Sequence, residues 1–325
     1  MSTYKIGFIG CGGMARGQHL PGFTSVENAE VNAVTEPSEN SVKLLEEKCS
    51  ESGIEIPHLY SDYKEMLEHE DLDIVGIFTP HTQHYFQAAD SLAKGCHVLV
   101  EKPMVTTPAQ ARSLKKKSEE SGKVLSIAYP GAFSLHHSAL RKYIESGKAG
   151  RITMVLAHVM QGGWKNGTKG KWRQNPDLSG GGQFYDTGSH LINSLIWILN
   201  DEVKEVTGFI SREETPVDVN GAVSLYFKSG VIASVLIGGH SSTSCVENIV
   251  FYGEQATLST GIWGGRFEAV DKQGNAATQE TEQEVSLQQT FIDVVDGKRE
   301  NPAPVEFGIY LADFMEKLYS NVKVV

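Results

Sequence analysis

The sequence is poor in cysteine and lacks a long apolar run. It contains four cysteines among 325 residues, and none forms a C-x-x-C pair or another metal-ligand spacing. We therefore expect reduced, buried thiols and no metal site. No segment approaches the ~20 consecutive apolar residues of a membrane span. The first strand begins at Tyr4, which leaves no room for a signal peptide. These features predict a cytoplasmic protein without a membrane anchor.

The sequence also has fewer basic than acidic residues. The chain has 29 Lys and Arg residues against 40 Asp and Glu residues, which gives a formal net charge of −11. Nucleic acids and anionic membranes attract proteins with excess positive charge, so neither is expected as the main partner. Hydrophobic residues make up 40% of the chain, which is enough for real cores. The length corresponds to about two domains at ~150 residues each.

The first 36 residues carry a nucleotide-binding pattern. An apolar run at 4–9 precedes the G-x-G-x-x-A turn from Gly10 to Ala15, and a second apolar run ends at Glu36. In such a turn Gly10 permits the tight bend and Gly12 lets backbone amides approach a pyrophosphate. The positive end of the following helix then faces the phosphates. An acid at the position of Glu36 accepts the hydroxyls of the adenine ribose. The predicted cofactor contacts in this segment are Gly10, Gly12, Gly13, Met14 and Glu36.

Glu36 also predicts NAD(H) in preference to NADP(H). A carboxylate at this position repels a 2′-phosphate. Residues 37–41 contain no arginine to receive that phosphate, and Glu39 adds a second acid.

The pattern of apolar runs changes near residue 130. Before it, five runs alternate with helix-like stretches: 4–9, 30–35, 73–79, 97–100 and 123–128. This alternation predicts a parallel sheet covered by helices on both faces. After it, strands follow one another through short turns, which is typical of an antiparallel sheet: 203–211, 218–228, 231–238, 247–253 and 256–259. We predict an α/β protein with a doubly wound Rossmann domain at 1–129. Residues 130–325 are predicted to form an α+β domain with a large, mainly antiparallel open sheet.

Two further polar segments follow predicted strands of the first domain. One contains Thr79, Pro80 and His84, and the other contains Glu101 and Lys102 followed by a proline. Open α/β folds bind ligands at the carboxyl ends of their strands. We therefore predict that these residues lie beside the cofactor. The His-x-x-His spacing in the first segment is weak evidence for a metal.

A strongly apolar helix, predicted from Gly182 to Leu199, carries three polar residues on one face. Asp186, His190 and Asn193 are spaced four and three residues apart. A carboxylate and an imidazole on a helix buried in this way need a partner or a purpose. A catalytic pair and a structural Asp–His pair are both consistent with this pattern.

These four motifs occur in the order typical of the glucose–fructose oxidoreductase/inositol dehydrogenase (Gfo/Idh/MocA) family, which the chain resembles. The resemblance implies a Rossmann domain followed by an α/β domain whose open sheet mediates oligomerisation. It places the family's lysine, aspartate and histidine roles on Lys102, Asp186 and His190. The position that is often a second acid is Asn193 here, which leaves a substrate contact through a carboxylate in doubt.

The sequence and the resemblance together predict an NAD-dependent dehydrogenase acting on a secondary alcohol of a cyclic polyol. His190 is the expected general base, because an unperturbed imidazole titrates near neutral pH. Asp186 would hold the substrate hydroxyl or orient His190. Lys102 would stabilise the reacting oxygen, and the sequence leaves open whether Lys102 or His190 accepts the proton. Two alternatives remain open: a glycosidase or epimerase-type enzyme that recycles its NAD after transient oxidation, and a non-catalytic NAD- or sugar-binding sensor.

Residues 161–175 precede the catalytic helix and suggest the substrate. They combine two tryptophans with four cations and five amide or hydroxyl side chains. Aromatic faces stack on the apolar side of a sugar ring, while amides and arginine bind its hydroxyls. The predicted substrate is a pyranose, glycoside or inositol, and the four cations leave open an acidic sugar such as a uronate or a sugar phosphate. Its predicted contacts are Lys102, Trp172, Arg173, Asp186, His190 and Asn193.

The resemblance also implies a homodimer or homotetramer. The predicted strand at 231–238 is apolar on both faces, because Val231, Ala233 and Val235 alternate with Ile232 and Leu236. A sheet with helices on one side leaves its other face to be covered.

Overall fold

The computed structural model describes residues 3–278 and 285–325. The chain divides into two compact units. The first contains the described residues up to Val105, together with Ala109–Ala128 and Val285–Val305. The second contains Thr106–Pro108, the described residues from Tyr129 to 278, and Glu306–Val325. Residues 285–305, which the sequence placed in the C-terminal domain, therefore lie in the first unit. The reason is apolar packing, since Phe291 and Ile292 are fully buried in the core of that unit.

The first unit is built on a six-stranded, all-parallel sheet. Its strands are β1 Tyr4–Ile9, β2 Ala29–Thr35, β3 His58–Tyr60, β4 Ile74–Ile77, β5 His97–Glu101 and β6 Leu125–Ala128. Their order is β3-β2-β1-β4-β5-β6, which confirms the predicted doubly wound parallel sheet. The strand order reverses between β1 and β4, so ligands are expected where these two strands end. The short strand β3 was not predicted, because only three residues pair with β2.

The second unit contains a nine-stranded sheet. Its strands are β7 Ile152–Met160, β8 Val203–Ser211, β9 Asn220–Phe227, β10 Ile232–Gly238, β11 Val246–Gly253, β12 Ala256–Thr260, β13 Phe267–Asp271, β14 Ala276–Thr278 and β15 Lys323–Val324. The order is β14-β13-β12-β11-β7-β10-β9-β8-β15. Among the described strands of this sheet, only the β7–β10 and β8–β15 pairs are parallel. The prediction of a large, mainly antiparallel sheet is confirmed. The strands β13, β14 and β15 were not predicted.

Helices connect and flank the strands. They are α1 Leu20–Thr24, α2 Glu39–Ser52, α3 Tyr63–His69, α4 His84–Ala93, α5 Pro108–Ser121, α6 Pro130–Phe133, α7 Leu135–Glu145, α8 Trp164–Gly167, α9 Pro176–Ser179, α10 Thr187–Leu199, α11 Leu287–Val295 and α12 Val305–Asn321. A π-helical turn at Ala15–His19 precedes α1. None of the described helices is long and apolar enough to cross a membrane.

The sheet of the second unit has one buried and one exposed face. In β10 the residues Ala233, Val235 and Ile237 are buried, whereas Ile232 and Leu236 are 50% and 44% exposed. This alternation is the period-two pattern of a strand whose two faces lie in different environments. It confirms that both faces of this strand carry apolar side chains.

All four cysteines are free. Cys11, Cys49 and Cys96 are buried, but Cys245 is exposed. The expectation of buried thiols is therefore wrong for Cys245. This residue lies just before β11, where the chain is open to solvent.

Candidate active site

The glycine turn follows β1 at the point where the strand order reverses. Gly10 has φ +87°, and a Cβ atom there would lie 3.0 Å from Thr79 Cγ2 and 3.1 Å from the carbonyl carbon of Phe78. Only glycine fits this conformation and this close approach. A Cβ atom on Gly12 or Gly13 would instead meet nothing within 4 Å. The turn therefore offers bare backbone to open space, which suits a pyrophosphate.

Glu36 is fixed beside this turn by the backbone. One carboxylate oxygen accepts the Cys11 N–H at 3.0 Å, and the other accepts the Ser38 N–H at 3.0 Å. A carboxylate offers about four lone-pair positions, so two further hydroxyl donors can be accepted. The residues present thus fit the adenosine end of a dinucleotide.

Arg16 and Cys11, which the sequence analysis did not select, also lie at this turn, beside the predicted contact Met14. The half-buried guanidinium of Arg16 donates to the carbonyl oxygen of Cys11. Met14 is 46% exposed next to it. Burial raises the pKa of the Cys11 thiol to about 12, and the charge of Glu36 adds to the shift. Cys11 is therefore a neutral thiol inside the turn, with Arg16 as the adjacent cation.

His84 holds the loop after β4 against the loop after β5. Its Nδ1 lies 2.9 Å from the carbonyl oxygen of Pro103, and its Nε2 lies 2.8 Å from that of Thr79. The ring is completely buried, and burial lowers its pKa. Thr79 donates its hydroxyl to Gln87 at 2.5 Å. The buried ring of His84 therefore links the two loops through hydrogen bonds and is not available at the surface.

A metal site does not emerge from the histidines of this segment. The rings of His81 and His84 are 6.0 Å apart, and both nitrogens of His84 face carbonyl oxygens. Within residues 3–278 and 285–325, no group of three or more His, Cys, Asp or Glu side chains has a metal-binding arrangement.

Glu101, the last residue of β5, and the following Lys102 are positioned by a series of hydrogen bonds through buried side chains. One oxygen of Glu101 accepts the backbone N–H of Lys102 at 3.0 Å, and the other lies 2.9 Å from Nε2 of His19. The amide nitrogen of Gln288, in α11, lies 3.2 Å from Nδ1 of His19. With Gln288 donating to Nδ1, the ring proton lies on Nε2 and faces Glu101. The peptide bond between Lys102 and Pro103 is cis.

In the second unit, Asp218 shapes the turn that leads into α10. Its two carboxylate oxygens accept the backbone N–H groups of Gly182 at 2.9 Å and Phe184 at 2.8 Å. The hydroxyl of Tyr319 also donates to this carboxylate. The helix begins at Thr187, later than the predicted Gly182, because this turn uses the preceding backbone groups. Asp218 was not predicted, since it lies 34 to 36 residues from the two backbone N–H groups that it binds.

Asp186 stands immediately before α10 and receives two donors on one oxygen. Its Oδ2 accepts the indole N–H of Trp164 at 2.7 Å and the Nε–H of Arg173 at 2.9 Å. Asp186 is 8% exposed and Trp164 is 5% exposed. The guanidinium carbon of Arg173 lies 4.4 Å from the ring centroid of Trp172. The segment at 161–175 therefore places a cation and two aromatic rings around this carboxylate.

His190 lies one turn further along α10 and is half-buried between two aromatic rings. The ring centroids of Tyr129 and Trp263 lie 6.2 Å and 6.1 Å from that of His190. Asn193 is only 1% exposed, and its Oδ1 finds no hydrogen-bond donor in the described part of the chain. Trp263 was not predicted, because it is 73 residues from His190 and stands in a loop without a recognisable motif.

Known proteins match this chain in both units. Residues 4–129 match an oxidoreductase family with an NAD-binding Rossmann fold, and residues 137–259 match the Gfo/Idh/MocA C-terminal domain. A D-glucoside 3-dehydrogenase from Escherichia coli K12 is 28% identical over 202 residues, which cover 61% of this chain. That match spans about half, 54%, of the relative's own length.

Two solved structures share the fold over nearly the whole chain. An aldose–aldose oxidoreductase from Caulobacter crescentus, complexed with glycerol, superposes with a TM-score of 0.83 at 22% identity, covering 98% of this chain and 97% of the other. The WlbA dehydrogenase from Bordetella pertussis, in complex with NADH and UDP-GlcNAcA, gives a TM-score of 0.83 at 20% identity, with coverage of 98% and 95%.

Proposed function

We propose that this chain, which belongs to the Gfo/Idh/MocA oxidoreductase family, is an NAD-dependent dehydrogenase for a secondary alcohol of a cyclic polyol. It would oxidise that alcohol or catalyse the reverse reduction. The proposed substrate class is a pyranose, a glycoside or an inositol. The name of the D-glucoside 3-dehydrogenase relative supports this class. When bound, the nicotinamide supplies the hydride acceptor or donor.

The observation that carries the proposal is the environment of His190. A half-buried imidazole between two aromatic rings follows, by one helical turn, a carboxylate held by an arginine and an indole. An imidazole in such a place can take the proton of an alcohol as its carbon loses hydride. We assign this role to His190. Asp186, fixed by Trp164 and Arg173, stands at the start of the helix that carries His190.

Lys102 is proposed to stabilise the reacting oxygen and to bind near the nicotinamide ribose. Support comes from the way its backbone is fixed, since Glu101 accepts its N–H and is itself paired with buried His19. A cation placed in this way stabilises negative charge as it develops on an alcohol oxygen. His84 and Thr79 are proposed to act indirectly, by holding the adjoining loops.

The proposed cofactor is NAD(H) in preference to NADP(H). The support is Glu36, whose carboxylate is held at the glycine turn by two backbone N–H groups. A 2′-phosphate would lie against this negative charge. Arg16 is the cation beside the turn, but its guanidinium already donates to Cys11.

For the substrate, we keep Trp172, Arg173 and Asn193 as proposed contacts. Arg173 would act mainly through Asp186, to which it donates. The support for Asn193 is its amide oxygen, which lacks a donor among the described residues. A ligand hydroxyl that reached this oxygen would satisfy it.

The proposed assembly is a homodimer or homotetramer formed through the exposed face of the large sheet. Apolar side chains line this face in neighbouring strands. They are Met154, Leu156, Phe209, Tyr226, Ile232, Leu236 and Tyr252, each 39% to 54% exposed. An apolar face of this kind is typical of a protein–protein interface.

The proposed chemistry is tested by two substitutions in the active site. His190→Ala and Lys102→Met proteins should still fold and bind NADH by fluorescence titration, yet lose most turnover of the best substrate. Exposed matched controls are His69→Ala and Lys116→Met. The assays follow NADH absorbance over a panel of inositols, aldoses, glycosides and uronates. Near-normal kcat in both active-site variants would overturn the assignment.

A further inference from the structure

A six-residue loop between β12 and β13, here called the Trp263 loop (residues 261–266), is fixed by three side chains, two on helices and one at the residue before α7. His137 Nε2 donates to the carbonyl oxygen of Gly261 at 2.7 Å. The hydroxyl of Ser194 donates to that of Ile262 at 2.9 Å, and the hydroxyl of Ser134 donates to that of Gly264 at 2.6 Å. These three donors are at most 5% exposed. Loops rarely receive so many buried side-chain donors, because most are solvated.

Further hydrogen bonds involve a backbone N–H group of the loop and its last residue. Glu247, in β11, accepts the N–H of Ile262 at 2.5 Å. Thr260 donates its hydroxyl to the carbonyl of Arg266 at 2.7 Å. Gly264 has φ +78°, and a Cβ atom there would lie 2.3 Å from Ser134 Cβ. The loop is therefore closely packed and hydrogen-bonded along its length.

His137 is suited to this structural role at physiological pH. It lies in α7 and is completely buried. Burial lowers its pKa to about 4. The ring is then neutral near pH 7, and the proton on Nε2 serves the hydrogen bond to Gly261. The support for the loop does not depend on a charged group that titrates in the working range.

The side chain that this arrangement presents is Trp263. It is 36% exposed, whereas its neighbour Ile262 is 1% exposed. Its ring centroid lies 6.1 Å from that of His190, at 64° between the planes. Ser194 and His190 lie four residues apart on α10, so one helix both supports the loop and carries the imidazole. An indole left partly in water, on a rigid loop beside an imidazole, is suited to contact a ligand.

We propose that Trp263 is the stacking surface for the apolar face of a cyclic substrate whose hydroxyl is directed at His190. This inference rests on the proposed function and specifies how the substrate class is selected. A pyranoside or cyclitol has a face of C–H groups that packs on an indole, whereas an open-chain polyol lacks a fixed face. Trp172 is less suited to this role, because the guanidinium of Arg173 lies over its ring.

The test compares ring and open-chain compounds with variants of two tryptophans. Methyl β-D-glucopyranoside, myo-inositol and sorbitol are assayed with wild-type protein and with Trp263→Ala, Trp263→Phe and Trp172→Ala. We expect Trp263→Ala to raise KM for the best ring compound about tenfold or more, with kcat changed less than about threefold. Trp263→Phe should recover part of the loss. A KM change confined to Trp172→Ala would overturn the proposal.

A second readout separates this proposal from the proposed reaction. Saturation-transfer NMR in the presence of NADH measures binding of the same three compounds without turnover. One outcome is that wild-type protein binds a ring compound, that Trp263→Ala weakens this binding, and that wild-type protein oxidises none of the three compounds. This outcome would support the stacking surface and contradict the dehydrogenase assignment. Wild-type protein that binds no ring compound, or binds sorbitol equally well, would overturn the stacking surface.

Discussion

Oε1 of Glu101 lies 2.9 Å from Nε2 of His19, and both side chains are buried. The other oxygen of Glu101 accepts the backbone N–H of Lys102. His19 in turn stacks on Phe78, with ring centroids 4.2 Å apart. A single carboxylate thus connects the helical turn after the glycine turn with the loop that carries the proposed active-site lysine.

Glu101→Ala should impair both stability and turnover. The substitution removes the acceptor of one buried and one partly buried hydrogen bond, which we expect to lower the free energy of unfolding by about 1–3 kcal/mol. Because the Lys102 backbone is released, kcat should also fall. Denaturant unfolding and NADH assays measure the two effects. The control is Glu120→Ala on the surface of α5. Unchanged stability and kcat in Glu101→Ala would show that the hydrogen bonds from His19 and Lys102 to Glu101 are dispensable.

Glu36→Gln should shift cofactor preference towards NADP. Glutamine keeps an oxygen for the Cys11 N–H but removes the charge that opposes a 2′-phosphate. We expect the ratio of kcat/KM for NAD to that for NADP to fall about tenfold or more. Glu47→Gln, at an exposed position of α2, should leave the ratio unchanged. A wild-type protein with equal kcat/KM for both cofactors would contradict the preference.

Arg173→Ala should reduce kcat through Asp186. It removes the cation from a carboxylate that is only 8% exposed and leaves the Trp164 indole as a donor. A hydrogen bond to a charged group contributes about 1.5–3 kcal/mol, which corresponds to about a 10- to 100-fold loss. The control is Arg151→Ala, because Arg151 forms an exposed ion pair with Glu254. A pure KM effect in Arg173→Ala would instead indicate direct substrate contact.

Ile232→Glu should dissociate the proposed oligomer. Ile232 pairs with Met154 on one side and with Tyr226 on the other, so the new charge falls in the middle of the exposed apolar face. Burying it in an interface would be unfavourable. Light scattering at micromolar concentration should give a multiple of 35.5 kDa for wild type and the monomer for the variant. Phe86→Glu, on an exposed helical side chain, is the control. A monomeric wild-type protein would end this proposal.

A thiol reagent should modify one cysteine per native chain. Cys245 is exposed, whereas the other three cysteines are buried. Burial also raises the pKa of Cys11 to about 12 and that of Cys96 to about 11, so both remain protonated at pH 8. Labelling is counted by mass spectrometry, and Cys245→Ser should abolish it. Rapid modification of two or more thiols in the native protein would contradict the burial of the others.

The sequence by itself determined the features that depend on short spacings. The glycine turn, Glu36 just after β2, and His190 and Asn193 on α10 lie within segments whose periodicity shows strand or helix. The parallel order of the first sheet and the antiparallel character of the second followed from the lengths of the connections between strands. These features are local, because backbone geometry links residues a few positions apart.

Only the tertiary structure decided which distant side chains meet. Asp218 binds the turn before α10, and Ser134, His137 and Ser194 fix a loop that is 68 to 130 residues away. Residues 285–305 likewise pack in the first unit, with residues that are distant from them in the sequence. No spacing in the sequence encodes such contacts. They arise because burial of apolar surface brings the segments together, and each buried polar group must then find a partner.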